Sequence, residues 1–248
     1  MKKGNSKAKL ILFFVLIVNV ALLGGEDDLF LGNRFYFAQI RYAGNWDPHP
    51  GAAHEILHFL SLNTSVDPME EKKSVDPASD DIFYCPFLYL AGGGKFTLPD
   101  AAVKNLRRHL ERGGLLWIDE AEDEGFRESV QSLVKRIFPD KNIERIPGDS
   151  VIFYSFYLLP EAGGRRRIRD YIEGVSLDGR WALVYSRNDL SGGWVRDRLG
   201  NWQYPCIPDG ERQRWEGIKL TVNIIMYALC DTYKLDKIHR EYLDRKLE

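Results

Sequence analysis

Short apolar segments alternate with segments of helical periodicity along the chain, and this order constrains the fold more than any other feature. Three predicted strands (35–40, 82–90 and 115–118) are each followed by a predicted amphipathic helix (51–62, 99–112 and 126–138). Repeated strand–helix units are typical of a parallel sheet with helices on both faces. A predicted hairpin, 171–177 and 180–186, turns at Asp178-Gly179, and a last helix covers 215–230. The sequence therefore predicts a three-layer α/β fold with a mostly parallel sheet and a β-hairpin addition.

Two parts of this pattern are less regular than the rest. Residues 66–81 carry two prolines and many charges, so we expect a polar connection there. Pro86 lies inside the apolar run 82–90, and a proline cannot donate a hydrogen bond within a central strand. Pro86 therefore argues against a regular central strand over the whole of 82–90.

The two ends of the chain differ in composition from its middle. Four lysines precede the apolar run 10–23, and Gly24-Gly25 and three acidic residues follow it. This order predicts a signal peptide in residues 1–25 or, if it is not cleaved, an N-terminal anchor. We therefore expect an exported protein, periplasmic or anchored facing the periplasm, with membrane contact only through this segment. The α/β domain is predicted at 33–231 and a charged C-terminal helix at 232–248.

Charge and cysteine content exclude some classes of protein. The chain has 34 basic and 36 acidic residues and a formal net charge of −2, which argues against a nucleic-acid partner. Its three cysteines do not form a disulfide framework, although one bond that involves Cys206 is left open.

Polar clusters follow the predicted strands where the strands end. Because the carboxyl ends of parallel strands share one edge, these clusters predict a common ligand site there. Arg41 suits an anion, and the Trp46 and Trp194 rings suit a sugar face. The predicted ligand-binding residues are Arg41, Tyr42, Asn45, Trp46, Asp47, Asn188, Asp189 and Trp194. Such residue types also form ordinary turns, so turn formation is the alternative explanation for these clusters. The Gly92–Gly94 turn matches no phosphate-binding motif and is best explained by close packing.

Two acidic residues and one motif are candidates for chemistry. Asp119 and Glu120 follow the third predicted strand and are the catalytic candidates, for acid/base work or metal binding. His54-Glu55-x-x-His58 matches the zinc-peptidase motif H-E-x-x-H. The two histidines lie away from the apolar helix face, however, and no third ligand follows at the usual spacing. We therefore expect surface histidines and no metal or cofactor, with zinc as an alternative.

Five segments together resemble the bacterial family known as domain of unknown function 4159. They are FYFAQIRYAGNWD (35–47), FYCPFLYLAGGG (83–94), GGLLWIDE (113–120), NDLSGGW (188–194) and VNIIMYAL (222–229). The resemblance covers most of residues 33–231. It implies a fold similar to class I glutamine amidotransferases without their catalytic cysteine, since Asp119-Glu120 occupy the nucleophile turn. The family's frequent Asp-His pair is absent, because this chain has Gly148-Asp149-Ser150.

The expected function is therefore a non-catalytic binding module of the bacterial cell envelope. The resemblance implies an envelope protein as partner, and the predicted site suits a small or glycan-like ligand. The sequence contains no convincing nucleophile, so an enzyme is the less favoured class. Two alternatives stay open, a hydrolase that uses Asp119 or Glu120 and a zinc metallopeptidase that uses His54, Glu55 and His58.

Overall fold

The computed structural model describes residues 34–121 and 124–230, and within them a single sheet of seven strands forms the middle layer. The sheet has the order β2-β1-β3-β4-β7-β6-β5. The first five strands in this order pair in parallel, whereas β6 and β5 are added by antiparallel pairing. The strands are β1 (Ala38–Ile40), β2 (Lys73–Val75), β3 (Phe87–Gly92), β4 (Leu115–Glu120), β5 (Glu144–Arg145), β6 (Glu173–Leu177) and β7 (Arg180–Ser186).

In the described part of the chain, two α-helices cover each face of the sheet. The helices of the described residues are α1 (Ala52–Asn63), α2 (Asp100–Glu111), α3 (Glu124–Ile137) and α4 (Gly210–Leu229). Successive strand residues face opposite sides of a sheet. Tyr89 and Trp117 accordingly pack with α1 and α4, whereas Leu88 and Leu116 pack with α2 and α3. The prediction of a three-layer, mostly parallel α/β fold is confirmed.

The hairpin and most helix positions agree with the sequence patterns. The turn between β6 and β7 places Asp178 at φ +51° and Gly179 at φ +82°, which are the backbone angles that an Asp-Gly hairpin turn requires. Each helix predicted within the described residues is present, with ends that differ by up to five residues. The largest difference is α4, which begins at Gly210 rather than at 215.

The prediction of a strand at 82–90 is wrong in its first half. Residues Asp80–Tyr84 form a 3₁₀ helix, and the strand begins only at Phe87, directly after Pro86. The Ser79 hydroxyl caps the 3₁₀ helix by accepting a hydrogen bond from the Asp81 N–H at 3.2 Å. The connection predicted at 66–81 also contains β2. This strand has only three residues, one of them buried, so it is too short to show a periodic pattern in the sequence.

The predicted end segments lie outside the described residues. These are the N-terminal segment 1–25 and the charged helix at 232–248. Within the described residues, no helix combines the length and the apolar character needed to cross a bilayer.

Glycines allow the loop before β6 to contact α4 through its backbone. A Cβ at Gly163 would lie 2.4 Å from the Gly217 nitrogen and 2.7 Å from the Gln213 carbonyl oxygen. The Gln213 side chain donates hydrogen bonds to the carbonyl oxygens of Gly164 at 2.7 Å and Ile207 at 2.8 Å. These contacts hold the loop that carries Arg165 against the helix.

We expect Gly163→Ala to lower the free energy of unfolding by about 1–3 kcal/mol or more, because backbone atoms must move to admit the methyl group. Urea unfolding of the purified protein measures this change. The matched control is Gly148→Ala, where an added Cβ meets no atom within 4 Å, and we expect a change within about 0.5 kcal/mol. Equal effects of the two substitutions would contradict the close contact.

Candidate functional site

The order of the strands creates a switch point between β1 and β3. The chain passes from β1 to β2 on one side and then returns to β3 on the other side. In doubly wound sheets, ligands bind at such a point, outside the carboxyl ends of the strands. The loop after β1 and the turn after β3 meet at this edge, where Asn45 and Gly93 form an isolated antiparallel bridge.

A pocket of about 440 Å³ opens at this edge, and we call it the rim pocket. Its polar and aromatic lining is formed by Arg41, Tyr42, Trp46, Asp76 and Thr97. Arg41, Asp76 and Thr97 are exposed, Trp46 is half-buried and Tyr42 is buried. Three of the predicted ligand-binding residues, Arg41, Tyr42 and Trp46, are therefore brought together.

The buried Tyr42 side chain holds the loop after β1 against β3. Its hydroxyl lies 2.9 Å from the Asn45 carbonyl oxygen and 3.0 Å from that of Ala91. A Cβ at Gly92 would lie 1.8 Å from this hydroxyl, so only glycine fits there. Close packing is thus the reason for glycine at this position.

Asp47 ties the same loop to β1 and to the segment before β2. Its carboxylate accepts hydrogen bonds from Lys72 at 2.6 Å and from Gln39 at 3.3 Å. Gln39 also donates to the Trp46 carbonyl oxygen at 2.9 Å. The Lys72 ammonium lies 5.5 Å from the centre of the Trp46 ring. Asp47 therefore positions the loop, and its two oxygens already have partners.

The two catalytic candidates point to opposite faces of the sheet. Asp119 and Glu120 are the last two residues of β4, and each is only 1% exposed. Asp119 lies on the α1–α4 face, where Tyr89 donates to it at 3.4 Å. Glu120 lies on the α2–α3 face and accepts hydrogen bonds from Tyr185 and, at 2.6 Å, from Arg127. They do not form one catalytic pair.

Asp119 holds the turn that follows β7. Its carboxylate accepts hydrogen bonds from the backbone N–H groups of Leu190 at 2.9 Å and Ser191 at 2.8 Å. This turn continues as a short 3₁₀ helix, Ser191–Trp194. The neighbouring carboxylate of Asp189 pairs with His49 at 2.9 Å and with Arg165.

The buried carboxylates differ in pKa because their partners differ. Burial and the charge of Asp189 raise the pKa of Asp119 from 3.8 to about 7, against the hydrogen bonds that stabilise its ionised form. Burial also favours the neutral form of Asp189, but His49 and Arg165 outweigh it and lower the Asp189 pKa. Burial lowers the His49 pKa, and the stronger effect of Asp189 raises it above 6.5 overall. Asp189 is therefore the ionised member of the acidic pair.

His49 is a site residue that the sequence analysis missed. It lies between two prolines, and its partner Asp189 is 140 residues away, so no local pattern indicates it. A cavity of about 10 Å³ is lined by His49, Gln39, Tyr89 and Ser191. His49 Nδ1 and the Ser191 hydroxyl are buried without a hydrogen-bond partner of good geometry among the described residues, although Ser191 is close enough to Asp119 to stabilise its charge. One water molecule fits a polar space of this size.

Asn188 and Trp194 lie behind the predicted edge rather than on it. The Asn188 amide donates to the carbonyl oxygens of Gly163 at 3.1 Å and Arg169 at 2.7 Å, and its oxygen accepts two backbone N–H groups. Trp194 is only 2% exposed and donates to the Thr221 hydroxyl at 3.1 Å. Both side chains are engaged in holding loops, and a binding role for them stays a prediction.

The H-E-x-x-H motif lies on α1 as predicted, with both histidines exposed. Their rings are parallel, with centroids 6.5 Å apart, and Glu55 pairs with Arg196 at 3.2 Å. In the described part of the chain, no group of three or more His, Cys, Asp or Glu side chains is arranged to hold a metal ion. A zinc site here would need a further ligand from elsewhere.

We expect the free energy of unfolding to fall as the pH rises from about 4 to 7, because folded Asp119 keeps its proton where the unfolded chain has lost it. The raised His49 pKa acts in the same direction near neutral pH. Asp119→Asn should reduce this slope, by at most about 1.4 kcal/mol per pH unit for one proton. Urea unfolding at a series of pH values measures it. The control is Asp140→Asn, which changes an exposed carboxylate, and identical slopes in all three proteins would show that Asp119 is ionised throughout.

Comparison with known proteins gives one family. No curated protein matches the chain. The sequence profile of one family, described as Domain of unknown function, matches residues 36–229, from the residue after the first isolated bridge to the last residue of α4. Because this match covers far more than half of the chain, the protein belongs to the Domain of unknown function (DUF4159) family.

Proposed function

We propose that this chain is a non-catalytic binding module of the bacterial cell envelope that takes a small, glycan-like ligand in the rim pocket. The observation that carries this proposal is the composition and position of that pocket. It lies at the switch point and joins an indole ring, an arginine and a carboxylate, from Trp46, Arg41 and Asp76. An aromatic ring covers the apolar face of a sugar, while charged groups bind its hydroxyls.

Several hydrogen bonds hold the loop of the rim pocket, and this supports the binding proposal. Tyr42, Gln39 and Lys72 hold the loop that carries Trp46 at several points. A preformed loop loses little conformational entropy when a ligand binds. Arg41 is exposed and adjustable, so it is the residue best suited to adapt to the ligand.

Two wider features of the proposal rest on sequence and topology. The lysine-rich start and apolar run of residues 1–25 support export, with the domain periplasmic or anchored facing the periplasm and with an envelope protein as partner. The parallel order β2-β1-β3-β4-β7 supports an amidotransferase-like fold, since it is one of the common doubly wound orders. Residues 119–124 contain no cysteine or serine, so no glutaminase activity is proposed.

The test is a screen of the purified protein against soluble fragments of bacterial cell-wall glycans, followed by calorimetric titration of any ligand found. We expect Trp46→Ala to weaken binding by about tenfold or more, the loss that follows when a stacking ring is removed. Trp46→Phe should keep part of the affinity because it keeps a ring.

The matched control is Trp215→Ala, which removes a tryptophan that is 47% exposed and does not line the rim pocket. We expect it to leave the affinity unchanged. A failure of every glycan to bind, or equal binding by wild type and Trp46→Ala, would exclude the glycan proposal.

A second candidate function is hydrolysis with Asp119 as general base. The observation that favours it is the pKa of about 7, which suits proton transfer near neutral pH. Asp119 is 1% exposed, so substrate would have to reach it through a movement of the turn after β7. In this case, a carboxylate at Asp119 would take a proton from the attacking water.

Chromogenic esters, glycosides and phosphate monoesters provide the assay for this second candidate. We expect turnover to rise through about pH 7 and to fall by about 100-fold or more in Asp119→Asn. Circular dichroism of the variant checks that its fold is intact. An absence of turnover, or a rate that Asp119→Asn does not change, would argue for the binding module.

A further inference from the structure

A second pocket, separate from the rim pocket, lies between α3 and the strands β6 and β7. Its volume is about 350 Å³, within the range of roughly 300–1,000 Å³ that small-molecule sites occupy. Arg127 and Arg187 lie at the edge of the sheet where β4 and β7 end, and Lys135 lies two turns further along α3. We call this space the cationic pocket; its charged and aromatic lining is Arg127, Lys135, Lys141, Glu173, Tyr185 and Arg187.

Positive charge exceeds negative charge in the cationic pocket. Among the described residues, four cations line it together with one carboxylate, that of Glu173. A second carboxylate, that of the buried Glu120, lies behind Arg127. It accepts two hydrogen bonds from Arg127, at 2.6 and 3.4 Å, and one from Tyr185. Even with both glutamates ionised, two positive charges are left over among the described residues.

Arg187 has a donor that the described protein groups leave unused. Its side chain is 14% exposed, and its Nε is buried without a hydrogen-bond partner among the described residues. The carboxylate oxygen Glu120 Oε2 is 3.9 Å away, beyond hydrogen-bond distance. An unsatisfied buried donor on a charged group is unfavourable, and an oxyanion against the Arg187 guanidinium would remove that penalty once a shift of the side chain brings Nε within its reach.

The remaining lining suits an anion that carries an apolar part. Val134, Ile143 and the Tyr185 ring line the same space as the four cations. Burial also raises the pKa of Glu173, although Arg187 opposes this shift, so the one carboxylate in the lining is neutralised more readily than usual. Both features favour an organic anion over a free cation or a neutral polar molecule.

We propose that the cationic pocket binds a small organic oxyanion, with Arg187 as the main hydrogen-bond donor and Tyr185, Val134 and Ile143 against the apolar part. A phosphate monoester and a carboxylate share this chemistry, since the arginine fork binds either in a bidentate way. The proposal does not depend on the rim pocket, because the two pockets have no lining residue in common.

Calorimetric titration with phenyl phosphate, benzoate and inorganic phosphate tests the proposal and separates the two sources of the oxyanion. We expect one molecule of phenyl phosphate or benzoate to bind per chain, more tightly than inorganic phosphate, because the ring adds apolar contact. Arg187→Gln should weaken binding by about tenfold or more, the effect of losing a hydrogen bond to a charged group. Arg198→Gln is the matched control, since it removes the same charge from an exposed arginine outside the pocket.

Two more variants keep the test decisive. If Arg187→Gln does not fold, Lys141→Gln replaces it, because Lys141 is exposed and lines the pocket, and we expect weaker binding again. Trp46→Ala should leave phenyl phosphate binding intact. The proposal is overturned if neither aromatic anion binds, or if Arg198→Gln weakens binding as much as the pocket variants do.

Discussion

The structure depends on the two hydrogen bonds that the buried Asp119 carboxylate accepts from the backbone of the turn after β7. They link residues 71 and 72 positions apart and hold Leu190 and Ser191 over the end of the central strand. Asp189 is thereby placed against His49, which precedes α1, and against Arg165, which precedes β6. One acidic side chain thus organises three connections that converge from distant parts of the sequence.

Burying two neighbouring carboxylates is unfavourable, and the protein resolves the conflict by unequal pairing. Asp189 pairs with His49 and Arg165 and remains ionised, whereas Asp119 has backbone donors and a pKa of about 7. The result is a sealed polar cluster on the α1–α4 face. Tyr42 and Tyr185, which line the two proposed binding pockets, belong to the apolar core on the opposite face. The Asp119 cluster and these two lining tyrosines therefore lie on different faces of the sheet.

Periodicity and turn residues were enough to predict the layers, the hairpin and the edge at which polar residues gather. They did not predict on which face each side chain lies. The sequence gives Asp119 and Glu120 as alternative catalytic candidates at one strand end, and it does not show that a strand directs such adjacent side chains to opposite faces. Asn188 follows β7 as expected, but its amide is used to hold backbone groups that sequence alone does not bring near it. His49 was missed because its significance comes only from tertiary contacts.

The two outermost strands of the sheet have a consequence for the behaviour of the protein in concentrated solution. One edge is β5, which has only the two exposed, charged residues Glu144 and Arg145, and the other is the three-residue β2 with its lysine. Long, flat, apolar edges recruit strands from other molecules and start aggregation, whereas short charged edges do not. The strand β6 thus covers the long apolar β7, and β5 in turn pairs with the first two residues of β6. We therefore expect the antiparallel extension to disfavour pairing of β7 with strands of other molecules.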